Sequence, residues 1–207
     1  MQKNPKFILL LDYDGTLVPI CNKPENAIIS KTSLNLLNNL SLLPSVRACV
    51  ISGRGKDFLL SQIGTHNLDI GLEHGSELLL KGQKIPHCFG RSIEKKLYNK
   101  IKSILTAYCE TIPGTMLEMK NRSLAWHYRN ARSISDKELK DVKQSLDKLI
   151  QGNPLELLSG KKVIEVRRVG HNKGVFVKNY LKSINKSFAE ANLLAIGDDA
   201  TDEDLFR

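Results

Sequence analysis

Hydrophobic positions along the chain change period several times, and each change marks an element. Phe7-Ile8-Leu9-Leu10-Leu11 is an unbroken apolar run closed by Asp12, the pattern of a strand buried on both faces of a parallel sheet. Over residues 30–43 the period becomes helical, with Leu34, Leu37, Leu40 and Leu43 in register and Pro44 beyond. Arg47-Ala48-Cys49-Val50-Ile51 reads as a second buried strand ending at Ser52-Gly53-Arg54. A helix near 56–63 and a strand near 68–72 follow. This alternation predicts an α/β sheet. It resumes late in the chain, where a helix opens at Asn172-Lys173-Gly174 and runs to about Leu181. Asn192-Leu193-Leu194-Ala195-Ile196 is then another buried strand, ending in Gly197-Asp198-Asp199.

The middle is ordered differently. Ser92 is placed to cap a helix whose stripe is Ile93, Leu97, Ile101, Ile104 and Tyr108. Strands are predicted over 115–120 and 123–128. Ser135 and Glu138 form a capping-box pattern ahead of a helix that points Leu139, Val142, Leu146 and Leu149 inward. A hairpin then joins Leu155-Glu156-Leu157-Leu158 to Val163-Ile164-Glu165-Val166 through Ser159-Gly160-Lys161. Helix, two strands, helix, two strands describes a small sheet with helices on one face. The expectation is a Rossmann-like parallel-sheet core, residues 1–86 and 168–207, with an α+β domain inserted at 87–167.

Composition narrows the class. Hydrophobic residues make up 41% of the 207 and charged residues 26%, ordinary for a globular chain. No apolar run approaches the roughly 20 residues that span a bilayer. The first six residues lack the apolar stretch of a signal peptide. Cys21, Cys49, Cys88 and Cys109 are scattered with no CxxC pair, which fits reduced, mostly packed thiols in a cytoplasmic protein better than a disulfide framework. The net charge of +9 raises the question of nucleic acid. However, the lysines of 94–102 and 136–148 alternate with acids and apolar residues, and no aromatic-basic platform accompanies them. The charge reads as a solvated basic surface that also attracts anionic substrates. Neither nucleic acid nor membrane is expected as a partner.

Ligands of open α/β sheets bind beyond the carboxyl ends of the strands, and three such ends carry polar groups here. They are Asp12-Tyr13-Asp14-Gly15-Thr16, Ser52-Gly53-Arg54 and the acidic run from Gly197 to Asp204. If these strands are neighbours, carboxylates converge from at least two of them, and crowded carboxylates resist burial. A divalent cation relieves the repulsion, and hard Mg²⁺ prefers such oxygens. Asp12 and Asp14, two apart, can divide the work. One attacks phosphorus while the other holds a proton for the leaving oxygen. Gly15 permits a tight turn, and Thr16 offers a hydroxyl and an N–H to a phosphoryl oxygen. Lys173, at a helix start, can balance the charge of nucleophile and phosphate together. Each piece also has an ordinary reading: a DxD turn, an Asp-Asp cap, a Ser-Gly-Arg turn, a solvated lysine. Their joint occurrence after these strands favours the chemistry.

Those residues resemble the four motifs of the haloacid dehalogenase superfamily. Asp12-Tyr13-Asp14-Gly15-Thr16-Leu17 looks like the first, Ser52 the second, Lys173 the third, and Gly197-Asp198-Asp199 with Asp202 the fourth. Ile51-Ser52-Gly53-Arg54, Glu73-His74-Gly75, His127-Tyr128-Arg129-Asn130-Ala131 and Val163-Ile164-Glu165-Val166-Arg167 narrow the resemblance to the trehalose-6-phosphate phosphatases. The likeness implies an aspartyl-phosphate mechanism, with Asp12 as nucleophile and Asp14 as general acid and base. Ser52 and Lys173 would hold the phosphoryl group. Mg²⁺ would be bound by Asp12, the Asp14 carbonyl and Asp198, with Asp199 and Asp202 in support. It also implies that the inserted domain is a cap gripping a small-molecule sugar phosphate through Glu118, Lys120, Arg129, Lys161 and Glu165. Thr16, Gly53, Arg54 and His74 would touch substrate from the core; the sequence does not give the oligomeric state, for which a monomer is the default expectation.

Two departures accompany the likeness. Arg follows Val166-Arg167 where the family usually has Pro, and the chain ends at Arg207 where family members usually continue with another strand and helix. An edge element of the core is therefore expected to be missing. The competing expectations are a capped phosphatase of the same superfamily acting on sucrose or mannosyl phosphate, and an inactive sugar-phosphate-binding domain.

Overall fold

The computed structural model describes residues 5–21, 23–64 and 68–206. The chain forms two compact units. One is built from the chain up to Gly90 together with the chain from His171 onward, and the other is Arg91–Gly170.

The larger unit contains a six-stranded sheet. Its strands are β1 (Phe7–Asp12), β2 (Val46–Ile51), β3 (Asp69–Leu72), β4 (Glu77–Leu79), β5 (His87–Cys88) and β10 (Asn192–Ile196), in the order β10-β1-β2-β3-β4-β5. β10, β1, β2 and β3 are mutually parallel, as expected. The sheet departs from expectation beyond β3, where β4 and β5 add antiparallel. These strands have three and two residues, too short to show any periodicity.

Alternation along β1 explains the unbroken apolar run. Leu11, with Leu9 alongside, packs into a cluster with Leu37 of α1 (Lys31–Leu42) and Leu59 of α2 (Lys56–Ile63). Ile8 and Leu10 pack on the opposite side against Phe176, Val177, Tyr180 and Leu181 of α5 (Lys173–Ser183). A sheet covered on both faces needs apolar residues at successive positions. β10 lies at the open edge, and Leu194 and Ile196 on it are exposed.

Helix α5 carries Lys173 and is seated by a buried polar junction. Asp69 accepts the Tyr180 hydroxyl at 2.6 Å, the Arg47 guanidinium through two nitrogens and the Lys81 N–H at 2.7 Å. Both Asp69 oxygens accept from polar donors, so the buried carboxylate is satisfied. Gly71 brings α5 close to β3, because a Cβ there would stand 2.7 Å from the Phe176 ring.

The smaller unit is an antiparallel sheet of β6 (Met116–Met119), β7 (Leu124–His127), β9 (Val163–Arg168) and β8 (Leu155–Gly160), in that spatial order. α3 (Lys95–Thr111) and α4 (Asp136–Ile150) cover one face. Trp126, Ile164 and Val166 from the strands meet Ile101, Leu105, Val142 and Leu146 from the helices in one core. The capping box at Ser135 and Glu138 forms as predicted.

Two local expectations are corrected. Ser92 does not cap α3, whose N-cap is Glu94 without a side-chain bond. Ile93 and Tyr98 enter the same core instead, the pairing of a hydrophobic staple, and this sets the helix start. The hairpin turn is Lys161-Lys162 rather than Ser159-Gly160-Lys161. Gly160 pairs with Val163 in the ladder, and Lys162 takes φ +66°. The four cysteines are free thiols; Cys49 is buried and Cys88 exposed. No helix among the described residues is long and apolar enough to cross a membrane.

Candidate active site

Because β10, β1 and β2 are adjacent and parallel, their carboxyl ends open on the same edge of the sheet. Asp12 is the last residue of β1 and is buried. Lys173, the first residue of α5 and only 3% exposed, donates to Asp12 Oδ1 at 2.5 Å and to Asp202 Oδ1 at 2.5 Å. Asn172 caps α5 by accepting the Val175 N–H, so the ammonium sits at a formed helix N-terminus. Burial pushes the Asp12 carboxyl up to about 7 against the pull of Lys173. Burial also works against the Lys173 ammonium, but Asp12 and Asp202 outweigh it and hold the ammonium above its ordinary value.

The acidic run after β10 divides into different tasks. Asp202 is fully buried, and its Oδ2 accepts the N–H groups of Asp198 and Asp199 at 3.1 and 3.2 Å. It therefore fixes both the loop and the lysine. Asp199 accepts the N–H and hydroxyl of Thr201, which offset burial and keep its carboxyl below the ordinary value. Asp198 stands exposed, and burial together with Asp199 and Asp202 raises its carboxyl. Oxygens of Asp12, Asp198 and Asp202 lie within 4.8 Å of one another. Gly15, at φ +92°, is required here, since a Cβ would stand 2.1 Å from Asp198 Oδ2.

Asp14 is turned to a different partner. Its two oxygens accept Arg54 Nε and Nη2 at 2.8 and 2.6 Å. Ser52 follows directly on β2 and is buried, with its hydroxyl accepting the Arg54 N–H at 3.1 Å. Thr16 lies half-buried in the turn after β1. Gly53 touches His74, whose ring would stand 2.5 Å from a Cβ there. His74 has φ +56° and donates its N–H to the Ser52 carbonyl at 2.9 Å. Strain of this kind collects at functional loops.

The helix-free face of the smaller sheet carries a second polar group. Cross-strand register aligns Glu118, Ala125 and Glu165. Glu118 Oε2 is 2.8 Å from His127 Nε2. Burial raises the Glu118 carboxyl, but His127 and Lys120 outweigh it and leave it below its ordinary value. Glu165 Oε1 accepts the Ser123 hydroxyl at 2.6 Å and Lys120 Nζ at 3.1 Å. Arg129 donates to the Lys161 carbonyl, so this contact uses the lysine's backbone rather than its side chain. Neither Ser123 nor His127 was among the candidate site residues, although His127 opens one of the segments that carry the family resemblance; their alternation with Ala125 on one face is the signal that could have found them.

Comparisons with known proteins identify the family and the fold. The profile of the Trehalose-phosphatase family matches residues 10–207. A bifunctional trehalose-6-phosphate synthase/phosphatase of Thermoproteus tenax is 36% identical over 205 residues, covering 99% of this chain and 27% of that protein. A trehalose-phosphatase of Schizosaccharomyces pombe is 30% identical over 213 residues, covering 99% of this chain and 26% of its own. The chain thus spans about a quarter of the length of these relatives. The C-terminal domain of C. albicans trehalose-6-phosphate phosphatase superposes with a TM-score of 0.86 at 32% identity, covering 97% of this chain and 73% of that one. A haloacid dehalogenase-like hydrolase from Bacteroides thetaiotaomicron shares the fold, with a TM-score of 0.68 at 16% identity. With a family match along nearly its whole length, and a haloacid dehalogenase-like core ending its strands on these carboxylates, the chain belongs to the trehalose-phosphatase family.

Proposed function

We propose that this protein hydrolyses trehalose 6-phosphate to trehalose and phosphate through an aspartyl-phosphate on Asp12, as a step of trehalose biosynthesis. The observation that carries the reading is the placement of Lys173 between Asp12 and Asp202, beside Asp198. A buried nucleophile with its charge balanced by a helix-start lysine accepts a phosphoryl group without leaving an uncompensated charge. Ser52 would help hold that group, and Asp14 would carry the proton. Phosphate release from a panel of trehalose, sucrose and mannosyl phosphates tests the substrate. Release from a sucrose or mannosyl phosphate in preference to trehalose 6-phosphate would move the assignment to another sugar, and release from none would favour a binding domain.

Mg²⁺ fits the site's donors. They are the hard carboxylate oxygens of Asp12, Asp198 and Asp202, gathered within 4.8 Å, and the missing side chain at Gly15 leaves the Asp198 carboxylate its place beside the turn. Asp12, Asp198 and the Asp14 carbonyl would hold the ion, with Asp199 and Asp202 orienting the loop. When bound, the cation supplies charge neutralisation for the phosphoryl oxygens. We expect excess chelator to reduce turnover at least about a hundredfold, with Mg²⁺ restoring it. Unchanged turnover in chelator would remove the cation from the proposal.

The polar face of the smaller unit is assigned the sugar hydroxyls, through Glu118, Lys120, Arg129, Lys161 and Glu165. Carboxylates and ammonium groups give charge-assisted hydrogen bonds to hydroxyls. Glu165→Ala should lower turnover of trehalose 6-phosphate about tenfold or more, from one or two such bonds. Hydrolysis of a small aryl phosphate should change little. Equal losses on both would indicate a damaged fold, which is a real risk because Glu165 also anchors Ser123 and Lys120. Glu118→Gln, at a less buried position, separates the two causes.

A further inference from the structure

Arg54 stands 40 residues from Asp14 in sequence yet holds both of its carboxylate oxygens. Its remaining terminal nitrogen, Nη1, donates to the Pro24 carbonyl at 2.9 Å. Thus every nitrogen of the guanidinium donates to a protein oxygen. The guanidinium carbon lies 4.6 Å from the centre of the Phe58 ring on α2, a stacked cation–π arrangement. Phe58 in turn meets the edge of Tyr13, and the Tyr13 hydroxyl donates to the Ala27 carbonyl at 2.7 Å. The fork is therefore fixed from the side, from behind and at its tip. A planar bidentate pair of this kind sets direction as well as charge.

We propose that Arg54 is a positioning residue for Asp14 rather than a ligand of the phosphate, and that it aims the carboxyl group that carries the proton in both half-reactions. The inference rests on the phosphatase reading above. In the first half, an Asp12 oxygen bonds to phosphorus as the bond from phosphorus to the sugar oxygen breaks. The Asp14 proton, carried on a lone pair that the two Arg54 bonds leave open, goes to that departing oxygen. In the second half, water oxygen bonds to phosphorus, its proton goes to Asp14, and the Asp12–phosphorus bond breaks with its electron pair returning to the carboxylate. Asp14 must serve two oxygens on the same side of the phosphorus. A carboxyl group swinging freely about two torsions would meet them rarely, and small losses of alignment are costly in such transfers.

The leaving group separates this role from phosphate binding. A sugar alkoxide needs the proton to depart, whereas p-nitrophenolate does not. Arg54→Ala should slow turnover of a sugar phosphate about tenfold to a hundredfold. With p-nitrophenyl phosphate it should still form the aspartyl-phosphate at the native rate but hydrolyse it slowly, so that more phosphoenzyme is trapped by acid. Inhibition by inorganic phosphate should stay within about twofold of native. Added guanidinium ion should restore part of the lost turnover, because it can occupy the vacated fork site. Arg54→Lys, which keeps the charge but cannot span both oxygens, should show the same split with a smaller loss, and it serves if the alanine variant fails to fold. Weaker phosphate inhibition and a raised KM with kcat unchanged would overturn the proposal in favour of a phosphate ligand. So would native behaviour of both variants. A native chain that neither turns over nor forms a phosphoenzyme would overturn the phosphatase reading itself, and this role with it.

Discussion

Asp12→Asn will keep its fold and lose turnover by on the order of 10⁴-fold or more, the scale seen when a covalent nucleophile is removed. The amide fills almost the same volume at the end of β1, where the native side chain is buried, so packing is undisturbed. What it lacks is the lone-pair basicity to bond phosphorus. The ammonium of Lys173 retains Asp202 as its partner, so the substitution leaves no bare charge inside. Burial already opposes ionisation of Asp12, raising its carboxyl to about 7, and a neutral amide is spared that cost. Acid quenching of the native chain during turnover should trap a phosphoenzyme and the same experiment on the variant should not. Near-native rates in Asp12→Asn, with no phosphoenzyme in either protein, would refute the covalent route.

The second large effect is expected at Lys173, where catalysis and stability coincide. Lys173→Ala removes the cation from between two buried carboxylates, Asp12 and Asp202. Breaking a buried ion pair from one side costs about 3–5 kcal/mol, because the charge left behind has neither water nor partner. Turnover should fall at least about a hundredfold as the phosphoryl group loses its counter-charge. The direction of the pH dependence follows from the raised ammonium. Stability contributed by a lysine whose folded value lies above its unfolded one is fully present below the unfolded value, near 10.5, and is lost as pH rises through the folded one. Denaturant unfolding at pH 7 should show the full deficit, and the gap between native and variant should narrow in strong alkali. Added Mg²⁺ should recover more stability in the variant than in the native chain, since a second cation then meets unpaired carboxylates. Equal unfolding midpoints at pH 7 would show that the carboxylates find another partner.

Much of this arrangement was legible beforehand, because it is written locally. A short apolar run that stops at an acid suits a buried strand ending at a polar edge, and β1 does end on Asp12. The box of Ser135 and Glu138 is a four-residue pattern and starts α4 where expected. The start of α3 was misread for the converse reason. Ser92 has the right chemistry for a cap, but burial of Ile93 in the domain core decided the boundary. The strands β4 and β5 carry too few residues for a period, and their pairing is settled by the free edge of β3.

The same division holds at the candidate site. The chain by itself determined the carboxylates at strand ends and the lysine at a helix start, since each depends on residue type and short spacing; that β10, β1 and β2 are neighbours was decided by the folded sheet. The chain did not determine which acid does what. Asp198, Asp199 and Asp202 look alike in sequence, and only folding sends Asp202 inward to Lys173 while Asp199 closes on Thr201 and Asp198 faces solvent. Nor could it pair Arg54 with Asp14, or Lys120 with Glu165 across 45 residues. Those contacts join strands and loops that meet only after the sheets assemble. Hydrogen bonds reach about 3 Å while sequence patterns reach only a turn or two, so the roles of these charged groups are set by tertiary structure.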